Sequence, residues 1–486
     1  MRMYVNGLRQ EDILRVLSQL DPNTPLLDLS WNGLCNRTAE ELVQILRALP
    51  AKLQSLDLSG NALVFKTTAR LVQILCALPP NLRSLNLSGN GLSFKTADEL
   101  VHILGALPAN LHALGWAEMG FGRKSAVDFI RILGALPVNL KSLDLSENHL
   151  GRKTADELVC ILGTLPANLQ SLNLSENGLG RKTTDELVCI LGALPANLQS
   201  LDWSENGLGR KTTEELVRIL GALPANLRSL DWHENDLGDK TTEDLMQILG
   251  ALPRSLQSFN LSWRRLCDKS IENFMQILRV LPVNLQSLDF KKSALDCKIA
   301  DELVQILRAL PASLRSLDLS SNVLSRKTAD ELVRIFSALP ENVQSLNWSD
   351  NALGSKTAEE LVHILSVLPA NLQSLDLRYN ALGNKTDEEL IALIGVFRES
   401  ALTELRLDNY IMQRPAVRAV YDDIIGFRAH NARQKETGLL ALLVSELTPS
   451  LPAASSASHP AGFFASSSSS LQASNHSRPA YKCTLQ

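Results

Sequence analysis

The sequence predicts an α/β solenoid. Parallel strands stack along a concave side and helices along a convex side, in a horseshoe of about 13–14 units, each ~29 residues long. Three observations predict it. A Leu-Pro pair recurs at one fixed spacing, at Pro50, Pro79, Pro108, Pro137, Pro166, Pro195, Pro224, Pro253, Pro282, Pro311, Pro340 and Pro369. After most pairs comes a short run of alternating leucines ending in asparagine. Before the next pair comes a Thr-x-x-Glu start to an apolar pattern of helical period. A fixed repeat of this length marks a stack of identical supersecondary units.

The stretch Leu169–Asn197 represents every unit. Leu172 and Leu174 alternate with polar neighbours, so this run is a strand with one buried face. Asn177 stands where the chain leaves the strand, and its amide can bond backbone groups of its own and the adjacent turn. Thr183 is an N-cap, Glu186 completes a capping box, and Asp185 sits at the positive end of the helix dipole. Leu187, Ile190, Leu191 and Leu194 give the helix one apolar face. Pro195 then stops it. No unit can bury its apolar face alone, so units must stack. Strands stack ~4.8 Å apart and helices ~8–10 Å apart. The array therefore bends, with the strands inside.

Along the chain, residues 1–26 read as a truncated opening unit, in which Val5-Asn6-Gly7-Leu8 mirrors Trp31-Asn32-Gly33-Leu34 and Glu11–Leu20 is the helix. Residues 27–410 are the array. One residue is inserted near its end, which puts Tyr410 in the asparagine slot. Residues 411–447 read as a helical cap, with helices at Arg414–His430 and Thr437–Leu447 and with Tyr421, Ile424, Ile425 and Phe427 covering the last unit. Residues 448–486 are rich in Ser, Ala and Pro, including Ser466–Ser470, and read as a disordered tail.

Composition narrows the function. Lys and Arg number 48, Asp and Glu 52, and the net charge is −4, which does not point to nucleic acid. The cysteines, Cys35, Cys76, Cys160, Cys189, Cys267, Cys297 and Cys483, have no metal-ligand spacing and fit a reducing compartment. The N-terminus lacks the apolar core of a signal peptide. No apolar run reaches the ~18 residues of a membrane span. There is no phosphate-cradling glycine loop, HExxH, CxxC pair or GxSxG, and singletons such as His102 and His363 read as solvent-facing. No cofactor or metal is expected, and the chain reads as non-catalytic.

Departures from the repeat on the concave face are the candidate contacts. The slot before the asparagine carries Glu118, Glu147, Glu176, Glu205 and Glu234 in successive units. Within the strands run Asp57, Asp144, Asp202, Asp231, Asp289, Asp318 and Asp376, interspersed with Asn86, Asn173, Asn260 and Asn347. This acidic stripe is either a solvated face copied by duplication or a docking surface for a basic partner. Like charges one strand apart repel, which favours the second. The next units carry Ser262-Trp263-Arg264 and then Lys291-Lys292-Ser293, with His233 just before. Trp and Arg are frequent hot-spot residues. This patch is either the main contact or a drifted pair that kinks the stack. Met119 and Gly120 mark a third break, and Arg378 with Tyr379 a fourth. Trp116, Trp203, Trp232 and Trp348 occupy inner leucine positions and belong to the core, whereas Trp31 and Trp263 fall in the exposed slot. A basic column from Arg37 and Lys66 to Lys385, often preceded by arginine, reads as a solvated rim or as a basic edge for phospholipid or nucleic acid.

L-x-x-L-x-L-x-x-N-x-L followed by a full helix resembles the leucine-rich repeat of the ribonuclease-inhibitor-like subclass, over residues ~1–410. The near-identical units, ALPANLQSLDLSENxLGxKTADELV, further resemble leucine-rich-repeat effectors that intracellular bacterial pathogens deliver through a type IV secretion system. The small polar tail with Leu485 near its end is similar to the translocation signals of such effectors. The resemblance implies a monomer made in the bacterial cytoplasm and exported to the host cytosol, binding a host protein on its concave face. A cysteine-dependent ubiquitin ligase domain is not expected, since only the short stretch 411–486 is read after the array and its one cysteine is Cys483. Two other classes stay open. One is a small-GTPase regulator, although the acidic tail of the nuclear-transport activators is missing. The other is an inhibitor of a basic enzyme of the ribonuclease kind.

Overall fold

Fourteen three-residue strands, from Leu26–Asp28 to Glu404–Arg406, pair in one parallel sheet whose order follows the sequence. The computed structural model describes residues 2–426 apart from 236 and 261–267, together with residue 428. Paired residues sit one repeat apart, as in Leu172↔Leu201, because each unit has the same length. The final pair, Leu375↔Leu405, is set one place further and absorbs the inserted residue. In-register parallel pairing leaves only the first and last strands with an edge.

In the representative unit the predicted chemistry is in place. Leu172, Leu174, Leu187, Ile190, Leu191 and Leu194 are buried in one continuous core. The Thr183 hydroxyl accepts from the Glu186 amide at 3.3 Å, and the Glu186 carboxylate accepts from the Thr183 amide at 2.7 Å. That capping box starts the helix Thr184–Gly192. Asn177 donates to the carbonyls of Leu145, Leu174 and Ser175 at 3.0–3.1 Å. Its oxygen accepts from the amides of Asn148 and Leu150, both at 3.1 Å. One buried amide thus satisfies backbone groups of two turns that would otherwise be stranded.

Between asparagine and helix lies a feature the local pattern does not announce. A 3₁₀ turn, Leu179–Arg181, follows two left-handed residues, Glu176 at φ 54° and Gly178 at φ 67°. The same pair of left-handed positions recurs along the array, with Trp31, Gly60 and Gly89 preceding Glu118 in the first column.

The lysines of the basic column turn into the stack instead of out to solvent. From Lys95 to Lys298 every ammonium donates to the main-chain carbonyl of the lysine one unit back, as Lys95 does to Lys66 at 2.8 Å and Lys211 to Lys182 at 2.5 Å. Lys66, Lys153 and Lys298 are buried. Guanidiniums close the spine at both ends: Arg37 holds the carbonyls of Val5 and Leu8, and Arg414 holds those of Lys385 and Gly383.

At the N-terminus the opening residues dock on the first strand and helix of the array. Arg2 bridges in parallel to Asp28, the Met3 amide donates to the Asp28 carbonyl at 2.9 Å, and the helix Gln10–Ser18 packs beside Ala39–Arg47. At the other end the expectation needs correcting. Tyr410 does not occupy an asparagine slot. It lies in the short helix Asn409–Met412, half exposed, with its hydroxyl 3.0 Å from the Asp408 carboxylate. The inserted residue advances the chain, so the buried Asp408 is the side chain that reaches back, accepting from the Tyr379 amide at 2.9 Å. The helix expected over Arg414–His430 is Pro415–Tyr421 followed by a π-helical turn, Asp422–Gly426. Ile424 and Ile425 are buried in the core, and the Tyr421 hydroxyl donates to the Leu405 carbonyl at 2.8 Å. Phe427, the helix expected at Thr437–Leu447 and the tail from 448 lie outside the described residues.

Candidate binding face

The strands are short because each runs straight into the turn that holds the asparagine. The polar face of the sheet therefore consists of narrow columns, each running across the units. In the strand column every aspartate named here is partly committed to its own turn. Asp202 accepts from the Ser204 amide at 3.1 Å and Asp231 from the His233 amide at 3.1 Å. Three of the four interspersed asparagines donate to the aspartate one unit back: Asn86 to Asp57 at 3.1 Å, Asn260 to Asp231 at 3.1 Å and Asn347 to Asp318 at 2.6 Å. The column is thus less acidic than its letters. Repulsion survives where aspartates adjoin. Burial and then Asp318 push Asp289 up to about 6, and burial raises Asp202. Asp231 is lowered despite its burial, because the His233 imidazole bonds it at 2.6 Å. The same bond raises His233, whose other ring nitrogen lies 3.7 Å from Glu205.

The column before the asparagine is different. Glu118, Glu147, Glu176, Glu205 and Glu234 all adopt left-handed φ values of 52–56°. For a residue with a Cβ this conformation costs ~1–2 kcal/mol. Among the described residues, no salt bridge reaches Glu118, Glu147 or Glu176. Burial, then Glu176 and Glu118, push Glu147 up to about 7.

Trp263 and Arg264 lie outside the described residues. Their companions Lys291 and Lys292 are exposed, Lys292 in the left-handed slot at φ 53°. On either side the sheet keeps its one-repeat pairing, Phe259↔Leu288 and Leu288↔Leu317. Arg378 is not a free cation: its guanidinium clasps the buried Asp376 carboxylate at 2.6–3.0 Å. Tyr379 beside it is exposed, with that guanidinium 5.9 Å from its ring centre. Trp116, Trp203, Trp232 and Trp348 are fully buried, their indole N–H groups without a partner among the described residues.

The first units carry an aromatic surface of which the sequence pattern marked Trp31 but not Phe65 or Phe94. Trp31 is exposed and its indole lies over Gly60, where an added Cβ would meet the ring at 2.5 Å. Phe65 and Phe94 are each 78% exposed on successive 3₁₀ turns. Later units put Arg123, Arg152, Arg181 and Arg210 at that position, so the exception was there to be read. Phe94 and the glutamates Glu118, Glu147 and Glu176 line one cavity of about 430 Å³. Glu176 and Glu205 line the next, about 390 Å³, opposite Arg152 and Arg181.

These units define the class. The family described as Leucine Rich Repeat matches residues 81–103, and a second described as Leucine Rich repeat matches residues 369–385. The leucine-rich repeat-containing protein LegL7 of Legionella pneumophila is 37% identical, over 59% of this chain and 89% of that one, with a TM-score of 0.55. The chain belongs to the leucine-rich-repeat family. A structure of the Rad7 and Elc1 complex of yeast aligns at 17% identity over 76% of this chain and 88% of that one, with a TM-score of 0.45. No curated protein matches. Leucine-rich-repeat arrays are generally protein-interaction modules that present an extended surface of rigidly spaced side chains.

Proposed function

We propose that this chain is a non-catalytic module of the ribonuclease-inhibitor-like subclass that docks a basic protein on its strand-lined face. The glutamate column carries this reading. At Gly60 and Gly89 the same slot holds the residue its backbone prefers. In the five following units it holds glutamates, which add a left-handed penalty and mutual repulsion. A row of like charges kept over five units at left-handed positions is sensible where a partner relieves the repulsion. Carboxylates held on the rigid turns that follow paired strands lose little freedom on binding. They also steer a basic partner during encounter.

The 37% identity to a protein of Legionella pneumophila supports extending the proposal to a bacterial effector delivered by type IV secretion into host cytosol. Its partner would then be a host protein. Inhibition of a basic enzyme is a second reading that the same carboxylates favour.

The test is affinity capture from eukaryotic cytosol, with a basic ribonuclease as a separate bait. Three proteins are compared: wild type, Glu147→Gln/Glu176→Gln/Glu205→Gln, and Trp263→Ala/Arg264→Asn/Lys291→Ser/Lys292→Glu. A partner held by wild type, weakened by salt and lost by the glutamine variant is the expected result. A partner lost only by the quadruple variant overturns the glutamate reading and moves recognition to the Trp263 patch.

A further inference from the structure

Resting on that reading, we propose that the cavity between Phe94 and the glutamates Glu118, Glu147 and Glu176 receives a lysine or arginine side chain of the protein partner. Apolar residues flanking that cation rest on Phe65 and Phe94.

Phe65 and Phe94 stand bare on 3₁₀ turns that pack against each other, at a position polar in the following units. Adjacent exposed aromatics are an apolar patch of the kind that marks a contact surface. Phe94 also forms a wall of the 430 Å³ cavity, so apolar surface and carboxylates share one depression. The cavity is large enough for a long side chain but open on one side. Its nearby cations do not neutralise it: the Lys124 ammonium is engaged on the Lys95 carbonyl, and no salt bridge joins Arg123 to the glutamates among the described residues. Three carboxyls packed this closely are relieved by an incoming cation. Phe94 at its edge suits a cation on an aliphatic stem, or a guanidinium over the ring. A polyanion would meet the glutamates directly and is disfavoured. A bare metal ion would make no use of the phenylalanines.

The experiment pans a displayed random peptide library against the full chain, and then compares retention of the enriched peptides by three variants. Phe65→Ser/Phe94→Ser alters exposed positions and should fold, with circular dichroism as the check. Glu147→Gln and the triple glutamine variant complete the set. The expected result is enrichment of Lys or Arg flanked by apolar residues, with retention falling about 10-fold in the phenylalanine variant, as for loss of an interface anchor. Retention should rise from pH 6 to pH 8 in wild type and flatten in Glu147→Gln. The charged and titratable groups around Glu147 are Glu118, Glu176, Asp144, His149, Arg123 and Lys124, and all are unchanged in that variant. Basic peptides lost by the triple glutamine variant but kept by the phenylalanine variant would overturn this proposal and leave the acidic-face reading standing. Acidic or uncharged winners would overturn both. A dimer in sedimentation that the phenylalanine variant dissolves would overturn the proposal by assigning the patch to a second copy of the chain.

Discussion

Lys182→Met cuts the lysine spine at one rung and leaves the neighbouring rungs in place. The Lys182 ammonium donates to the Lys153 carbonyl, whereas Lys211 donates to the main-chain carbonyl of Lys182, which survives the substitution. Methionine keeps an unbranched stem of similar course and removes the charge. A hydrogen bond from a charged donor contributes ~1.5–3 kcal/mol, and a shielded carbonyl deprived of its donor loses that amount with little return from water. The expected destabilisation is therefore ~1.5–3 kcal/mol, concentrated in the units that hold Lys153 and Lys182, since solenoid stability is a sum of nearest-neighbour terms. Guanidinium titration reads the total. Native-state hydrogen exchange of the amides in these units reads the location. The control is the neighbouring Arg181→Met: this side chain is exposed, so the change should stay within ~0.5 kcal/mol. If Lys182→Met also stays within ~0.5 kcal/mol, the range of an ordinary surface change, the column is a solvated rim and the spine contributes nothing.

Two further outcomes test the glutamate column. Glu176→Gly should raise stability by ~1 kcal/mol or more in the same titration, because glycine removes the left-handed penalty and one charge from the repelling row; a loss of stability would mean that the carboxylate holds the turn. Stability should also fall as pH rises from 5 to 8. Glu147, at about 7 against 4.5 unfolded, keeps its proton in the folded state between those two values, so its contribution is full below 4.5 and is lost as pH rises through 7. Asp289, at about 6 against 3.8, has the same sign, as does the raised His233. Glu147→Gln should shallow the slope, and an unchanged slope would remove Glu147 from this account.

The sequence by itself determined the unit and its stacking. Period-two leucines, the Thr183–Glu186 cap, the helical stripe of Leu187, Ile190 and Leu191 and the Leu-Pro stop act within a few residues of one another, so local pattern suffices to read them. The same holds for the four core tryptophans, which stand at leucine positions. At the C-terminal end, local pattern misplaced Tyr410, because one inserted residue changes which side chain can reach back across the stack.

Only the tertiary structure decided the chemistry between units. The lysine spine, the asparagines donating to aspartates and the clasp of Arg378 on Asp376 depend on where a side chain points after stacking. Letters one repeat apart do not give that direction. The left-handed geometry of the glutamate slot was written beforehand only in the glycines at Gly60 and Gly89. The cavity beside Phe94 exists because one unit's 3₁₀ turn meets the next units' carboxylates. Solenoid units repeat in sequence, but their surfaces form only where neighbours touch.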